Sequence, residues 1–310
     1  ILKNMELRDR KPVSLRDKFK EHYHNRDFTP TKTQVSSFGM GFFGFMVLSL
    51  LLEAQLVLVP TIYNEDAWRF WLTTGLIWLT FLETVSNWYL SYWDVKNYVK
   101  GETRAKYFSS EMTETPPGWR TCPKCQVDAP PRSHHCNHCG KCILKRDQHC
   151  FFTGSCIGFF NQKYFVVFSF YVALGSAFAI YLQILYLSQE FSFLSWDIIT
   201  YFIPVTFVQW LLGNTTLDKL LIIVHMYLCI STMCMATFVF LWQILIITYG
   251  ATSFEAWKQI FLYTHSAADN FCSVFGSLKV IPILFFFPIK VEQDSDGIMW
   301  EVKRKRVKGH

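Results

Sequence analysis

Four long apolar stretches alternate with polar, mostly basic segments along the 310 residues of this chain. A helix that crosses the ~30 Å hydrocarbon core of a bilayer needs about 20 predominantly apolar residues, and each of the four stretches has that length. The sequence therefore predicts an all-α membrane protein with four transmembrane helices. The predicted spans are Phe38–Val59, Trp68–Trp93, Tyr164–Leu187 and Leu220–Tyr249.

Two further apolar stretches do not fit this pattern as spans. Phe191–Leu212 is interrupted by Asp197 and Pro204, and we interpret it as a lumenal segment that is re-entrant or lies at the interface. If it crossed the membrane, the basic C-terminal region would move to the opposite side. The run Val280–Ile289 is too short to span and is typical of a stretch that lies in the membrane interface.

The basic residues give the orientation, because cytosolic connections carry an excess of Lys and Arg. Residues 1–37 hold nine, Pro60–Ala67 none, 94–163 eleven, 188–219 one and 250–310 eight. This alternation places both termini and the segment between the second and third helices in the cytosol. The predicted regions are a cytosolic N-terminal tail (1–37), helices 1 and 2 (38–93), a cytosolic cysteine-rich zinc domain (94–163), helices 3 and 4 with a lumenal loop at 188–219 (164–249), and a cytosolic C-terminal region (250–310).

The charge content supports a membrane protein. Only 17% of residues are charged, whereas a soluble domain has about 25%. The net charge of +6 is explained by cytosolic basic residues, which also face anionic lipid. No nucleic-acid partner is expected, because nucleic-acid binding calls for a basic face on a soluble module.

Cysteine is concentrated in the predicted cytosolic insert, where thiols are kept reduced and a disulfide framework is not expected. Two histidines, His135 and His149, lie among these thiols. Zinc is held by four N or S ligands, so eight ligands make two sites and leave one thiol over. Neighbours such as His135 and Cys136 cannot easily reach one ion together, which predicts that the two sites interleave. The seven cysteines are Cys122, Cys125, Cys136, Cys139, Cys142, Cys150 and Cys156.

The stretch Cys122–Phe165 closely resembles the cysteine-rich domain of the DHHC-type protein S-acyltransferases, or palmitoyltransferases. It matches the family spacing C-x2-C-x9-HC-x2-C-x2-C-x4-D-x-HC-x5-C-x4-N-x3-F at each position. The resemblance implies two structural zinc ions, and it implies that the spare thiol, Cys150, is the acylated nucleophile. The implied ligand sets are Cys122, Cys125, His135 and Cys142 for one ion, and Cys136, Cys139, His149 and Cys156 for the other.

Two later segments resemble further motifs of this family. Thr252-Ser253-Phe254-Glu255 is similar to its TTxE motif, and the segment that starts at Asn270 is similar to its aromatic C-terminal motif, which packs against the membrane helices. The resemblance therefore implies a structural role for Thr252, Ser253, Glu255 and Asn270.

The signature itself departs from the family, since it reads Asp147-Gln148-His149-Cys150. In the family the first His, oriented by the Asp, is the base that activates the thiol, and the second His holds zinc. A carboxamide cannot take a proton at neutral pH, and the loss of a general base typically costs ~10²–10⁴ in rate. His134 and His138 are either substitute bases or solvated loop histidines.

The resemblance implies a two-step transfer of a long-chain acyl group, such as palmitoyl. Cys150 takes it from acyl-CoA and passes it to a membrane-proximal cysteine of a substrate protein, next to membrane lipid. Lys145 and Arg146 are candidates for contact with the phosphates of CoA, or else charges that fix topology. The endoplasmic reticulum or the Golgi is the expected location. The alternative is a catalytically weak or inactive relative that binds partners.

Polar groups within the predicted spans are costly in lipid and are expected to face the helix bundle. Cys229 and Cys234 are predicted to be buried small residues. The small side chains at 175–177 indicate either close helix packing or a slot for an acyl chain. The polar groups in question are Glu53, Glu83, Gln183, His225 and Gln243.

Overall fold

The computed structural model describes residues 32–92, 97–108, 118–189, 191–192, 195–293 and 295–301. Helices dominate this part of the chain, and the strands all fall between residues 120 and 157. Most of the predicted N-terminal tail, Trp93 at the end of the second predicted span and the basic residues after 301 lie outside the described residues.

The long helices agree closely with the apolar stretches. The first, α1, changes to a π-helical turn at Ala54–Leu58, directly after Glu53. The helices are α1 (Lys32–Glu53), α2 (Val59–Ile62), α3 (Ala67–Tyr92), α4 (Gln162–Leu187), α5 (Ile203–Leu211), α6 (Leu217–Thr248), α7 (Ser253–Trp257), α8 (Ala267–Phe275) and α9 (Val280–Phe286), with 3₁₀ turns at Gly101–Thr103 and Trp196–Tyr201.

Three helices of the described chain are long and apolar enough to cross a membrane: Val35–Ile62, Gln162–Leu187 and Leu217–Thr248. A fourth would come from α8 and α9 together, which are bent by 47° at the break between them. Helix α3, the predicted second span, has 26 residues but is too polar to be among the three. The structure thus supports three to four candidate membrane helices, and the predicted set of four stays a prediction.

The segment Phe191–Leu212 is broken. A 3₁₀ turn at Trp196–Tyr201 is followed by an extended residue, Phe202, and then by the nine-residue helix α5. Pro204 lies in the first turn of α5, where its missing N–H and fixed φ favour a helix start. Nine residues rise only about 14 Å, so α5 cannot cross a bilayer alone.

The polar groups of the helices pair with one another. Glu53 binds His225 and accepts a hydrogen bond of 2.8 Å from Gln183. Asn87 donates to the Glu83 carboxylate at 3.0 Å. These contacts agree with the prediction that such groups face the bundle. The prediction for the membrane cysteines is half wrong, because Cys229 is buried whereas Cys234 is exposed.

The cysteine-rich segment folds into three antiparallel two-stranded hairpins. In each of them a residue near the end of the turn has a left-handed φ: Gln126 (54°), Gly140 (65°) and Gly154 (64°). Similar tight turns bring the Cys-x-x-Cys pairs of the first two hairpins together. The strands are β1 (Arg120–Cys122) with β2 (Val127–Ala129), β3 (His134–Cys136) with β4 (Lys141–Ile143), and β5 (Gln148–Cys150) with β6 (Ser155–Ile157).

Candidate active site and metal centres

The first predicted ligand set comes together between the first two hairpins. Its four ligand atoms all lie within 4.8 Å of one another. His135 Nδ1 is 3.1 Å from Cys125 Sγ and 3.8 Å from Cys122 Sγ. Three thiols and one imidazole suit a closed tetrahedral zinc site, so this set could hold a metal ion. Its members are Cys122, Cys125, His135 and Cys142.

The second set joins the second and third hairpins. His149 Nδ1 lies 3.7, 3.4 and 3.6 Å from the sulfurs of Cys136, Cys139 and Cys156. These four ligand atoms also lie within 4.8 Å of one another. The other ring nitrogen of His149, Nε2, lies 3.1 Å from the Ser36 hydroxyl. A partner of this kind fixes the tautomer that leaves Nδ1 free for a metal, and sequence reasoning missed it.

The thiols of this second cluster shift one another's pKa values. Hydrogen bonds from Cys139 and Cys156 lower the pKa of the Cys136 thiol, whereas hydrogen bonds to Cys136 and Cys139 hold the pKa of the Cys156 thiol above its usual range. Closely spaced thiols of this kind favour the binding of a divalent metal ion, which displaces the thiol protons. The Arg146 guanidinium is half-buried beside Cys136 and Cys156. Burial acts to lower its pKa, but the hydrogen bonds and charge interactions with both sulfurs together raise it. Arg146 thus offsets part of the thiolate charge.

Cys150 ends strand β5 and pairs with Ser155 of β6. Its half-buried side chain packs against an apolar cluster that includes Ile157 and Phe168 from the zinc domain and α4. Phe43 of α1 packs on the same cluster, with its ring centroid 5.4 Å from that of Phe168. The spare thiol therefore lies where the third hairpin meets the membrane helices.

The turn after Cys150 is held by two of these helices. Trp88 Nε1 of α3 donates to the Phe152 carbonyl at 2.8 Å. On α1, a Cβ added at Gly39 would lie only 2.6 Å from the Phe151 carbonyl oxygen, so only glycine allows this close approach. The backbone beside Cys150 is thereby fixed on α1 and α3.

This close approach gives a prediction with a matched control. If Cys150 is the acylated nucleophile that the resemblance implies, Gly39→Ala should slow thioester formation there by about tenfold or more, because a displacement of ~1 Å at a reacting group can cost ~10² in rate. Gly41→Ala lies on the same helix, and a Cβ there meets nothing within 4 Å in the described structure. Both changes raise helix propensity equally. Single-turnover acylation of the two variants checks the prediction, and equal rates would contradict it.

Asp147 is buried and both of its carboxylate oxygens are engaged. Oδ2 accepts a hydrogen bond from Gln243 Nε2 at 2.7 Å, and Oδ1 accepts one from the Ser253 backbone N–H at 2.6 Å. Gln148, in the family's base position, is half-buried on β5. Asp147 thus connects the strand of Cys150 to α6 and α7, and no sequence pattern indicated that Gln243 was its partner.

The TTxE-like segment follows the end of α6 and contacts the cysteine-rich domain. Thr252 and Glu255 form a capping box at the start of α7. Glu255 also accepts two hydrogen bonds from Arg132 of the zinc domain, at 2.7 and 2.8 Å. Asn270 of α8 donates to the Thr248 carbonyl at 2.9 Å, at the end of α6. These residues join the zinc domain and the C-terminal region to α6.

The structure corrects the expected role of Lys145. Its ammonium is buried and donates to Gln162 Oε1 at 3.1 Å. Burial, with the Arg132 charge nearby, lowers the pKa of this ammonium to about 7. A group so placed cannot meet the phosphates of a solvent-borne ligand, and only Arg146 stays a candidate for that contact.

The two candidate substitute bases have different surroundings. Burial and the charge of Arg120 lower the pKa of His134 to about 4, so this imidazole is a weak base. The His138 ring stacks on that of His149, with centroids 4.8 Å apart.

An apolar cavity lies between α1, α3, α4 and α6. Phe43 and Val172, which line it, also belong to the cluster against Cys150. Gly175 and Ser176, two of the three small residues noted in the sequence, line the cavity as well, whereas the exposed Ala177 does not. The cavity therefore approaches the spare thiol from the membrane side.

Comparison with known proteins agrees with this geometry. No curated protein matches the chain. Residues 116–260 match the model of the DHHC palmitoyltransferase family, a segment that contains both metal-ligand sets, Cys150 and the TTxE-like segment. This match supports the assignment of the segment to the DHHC palmitoyltransferase family.

Proposed function

We propose that this protein is an S-acyltransferase that moves a long-chain acyl group from acyl-CoA to cysteines of membrane-associated proteins. The observation that carries the proposal is the position of Cys150. It is the one thiol of the third hairpin outside the ligand sets, and its apolar neighbours also line the cavity between the helices. An acyl chain in that cavity would place its thioester beside the thiol.

The chemistry proceeds in two balanced steps. The Cys150 thiolate attacks the carbonyl carbon of acyl-CoA, a new C–S bond forms, and CoA leaves as a thiolate that takes up a proton. The thiolate of a substrate cysteine then attacks the acyl-enzyme and releases Cys150. Thioester exchange is nearly thermoneutral, so the enzyme contributes chiefly by placing the two sulfurs and the carbonyl. Arg146 is the proposed contact for a CoA phosphate.

A labelled acyl-CoA tests this function. Purified protein should acquire hydroxylamine-sensitive label, and Cys150→Ser should acquire none while it keeps its metal. Label that survives in Cys150→Ser would place the nucleophile elsewhere.

A second candidate function follows from Gln148, which leaves the thiol without its usual base. In that case the protein is a weak or inactive relative that binds partners. Neither the wild type nor Cys150→Ser should then acquire label.

We further propose that both ligand sets hold structural zinc. Elemental analysis should find two zinc ions per chain, and Cys139→Ser should lower that number and destabilise the hairpins, because metal binding is coupled to their folding. Cys150→Ser is the control and should leave the number unchanged. A value clearly below two in the wild type would contradict the assignment.

The proposed orientation keeps both termini and the zinc domain in the cytosol, in the endoplasmic reticulum or Golgi membrane. The distribution of Lys and Arg supports it. A glycosylation acceptor introduced in the loop at 61–66 should be modified, and one introduced near Lys308 should not. Modification near Lys308 would place the C-terminal region on the lumenal side and contradict this orientation.

A further inference from the structure

A buried chain of hydrogen bonds runs from Lys145 to Asp147 through two glutamines of different helices. Lys145 Nζ donates to Gln162 Oε1 at 3.1 Å, at the start of α4. Gln162 Nε2 donates to Gln243 Oε1 of α6 at 3.0 Å. Gln243 Nε2 then donates to Asp147 Oδ2 at 2.7 Å. All four side chains are buried.

The two ends of this chain fix its direction. A lysine ammonium has donors only, and an ionised carboxylate has acceptors only. Each glutamine between them must therefore turn its oxygen toward Lys145 and its nitrogen toward Asp147. Both amide groups point the same way along the chain, and consecutive hydrogen bonds in a buried setting strengthen one another.

The chain binds the nucleophile strand to the membrane helices. Asp147 directly precedes β5, the strand that Cys150 ends, and its backbone N–H donates to the Ile157 carbonyl of β6 at 2.9 Å. The Gln162 and Gln243 side chains come from α4 and α6. Movement of β5 relative to these helices would thus leave buried polar groups without partners, which costs free energy.

We propose that Gln162 and Gln243 are positioning residues that set the place of Cys150 through Asp147. Neither lines the cavity nor belongs to the apolar cluster of Cys150, so they act on the rate of acyl transfer and not on acyl-CoA binding. This inference rests on the proposed function. It assigns a catalytic consequence to two polar residues that would otherwise count only as helix packing.

The chain supplies a closely matched control. Gln183 of α4 is as fully buried as Gln243, and its Nε2 also donates to an acidic side chain, Glu53, at 2.8 Å. Gln243→Leu and Gln183→Leu therefore both remove an amide-to-carboxylate bond at the same burial, and Gln243→Leu also removes the bond that Gln162 donates. The two glutamines differ in the acidic residue to which they donate. Asp147, the partner of Gln243, directly precedes β5, whereas Glu53, the partner of Gln183, lies on α1.

The experiment is single-turnover formation of the hydroxylamine-sensitive thioester over a range of palmitoyl-CoA concentrations, with the purified full chain. Gln243→Leu should lower the limiting rate constant by about tenfold or more and leave the half-saturating concentration and the zinc content unchanged. Gln183→Leu should stay within about twofold of the wild-type rate. A loss of folded protein alone would lower the amplitude of the acyl-enzyme and leave the rate constant as it was.

Three results would overturn the inference: equal rate constants for Gln243→Leu and Gln183→Leu, an effect of Gln243→Leu confined to the amplitude, or one confined to the half-saturating concentration. If Gln243→Leu does not fold, Gln162→Leu decides, because it keeps the bond to Asp147 but removes the group that orients it. A smaller fall in its rate constant supports the inference, and an unchanged one overturns it. A wild type without thioester would instead overturn the proposed function, and the inference with it.

Discussion

Arg132→Met is expected to lower the free energy of unfolding by about 3–5 kcal/mol, because removing one partner of a buried ion pair leaves the other charge uncompensated. The Arg132 and Glu255 side chains are only 2% and 6% exposed. Arg132 also donates to the Gly250 carbonyl at 2.8 Å and stacks on the Trp300 ring, 4.3 Å from its centroid. The change therefore removes the hydrogen bonds by which Arg132 of the zinc domain binds Glu255 of α7 and the Gly250 carbonyl.

Arg104→Met is the control for this prediction. Arg104 pairs with Asp128 at 2.8 Å, but these side chains are 26% and 16% exposed. Solvated pairs contribute about 0–1 kcal/mol, so this variant should be close to the wild type. Chemical unfolding of both variants in detergent, followed by tryptophan fluorescence, measures the difference. Similar losses for the two would show that the buried pair does not hold the domains together.

Two interleaved metal centres could be predicted from the sequence because part of their geometry is local, whereas the complete ligand sets came from the family resemblance. A Cys-x-x-Cys pair in a tight hairpin turn brings two thiols to one side, whatever the rest of the chain does. The interleaving of the two sets followed from His135 and Cys136, which are neighbours on β3 and point to opposite faces of the hairpin. Each set is completed by residues of the next hairpin.

The contacts around Asp147 could not be predicted in the same way. A single glutamine in an apolar helix, such as Gln243, indicates that it faces the bundle, but its partner depends on the rotation of α6 against the zinc domain. The burial of Lys145 was missed for a related reason. A lysine beside an arginine in a predicted cytosolic loop is typical of surface charge. Only the packed structure shows that the lysine ammonium donates a hydrogen bond to the Gln162 amide.

The number of membrane helices shows another limit of the sequence pattern. Length alone favoured α3 as a span, although Glu83 and Asn87 lie in its middle and are buried against other helices. Trp, Tyr and Thr residues along α3 lower its hydropathy further. Hydropathy therefore identifies α1, α4 and α6 more readily than α3.

Gln148→His is expected to speed acylation of Cys150 at pH 7 by tenfold or more, at the low end of what a general base contributes. The Asp147 carboxylate is already engaged by Gln243 and Ser253. Each of its oxygens has a second lone pair, so it can still accept a hydrogen bond from an imidazole introduced at the next residue and orient that ring.

The pH dependence separates the wild type from this variant. Without a base the wild-type rate should keep rising with pH as the thiolate fraction grows, with no plateau from an imidazole that titrates near 6.5. In Gln148→His the rate should level off above about pH 6.5, where an imidazole becomes neutral and able to take the proton. Single-turnover acylation between pH 6 and 9 measures both profiles. Equal rates at every pH would show that another group, such as His138, already serves as the base. Acylation in Gln148→His alone would identify the natural protein as an inactive relative, since a single amide at position 148 then accounts for the lost activity.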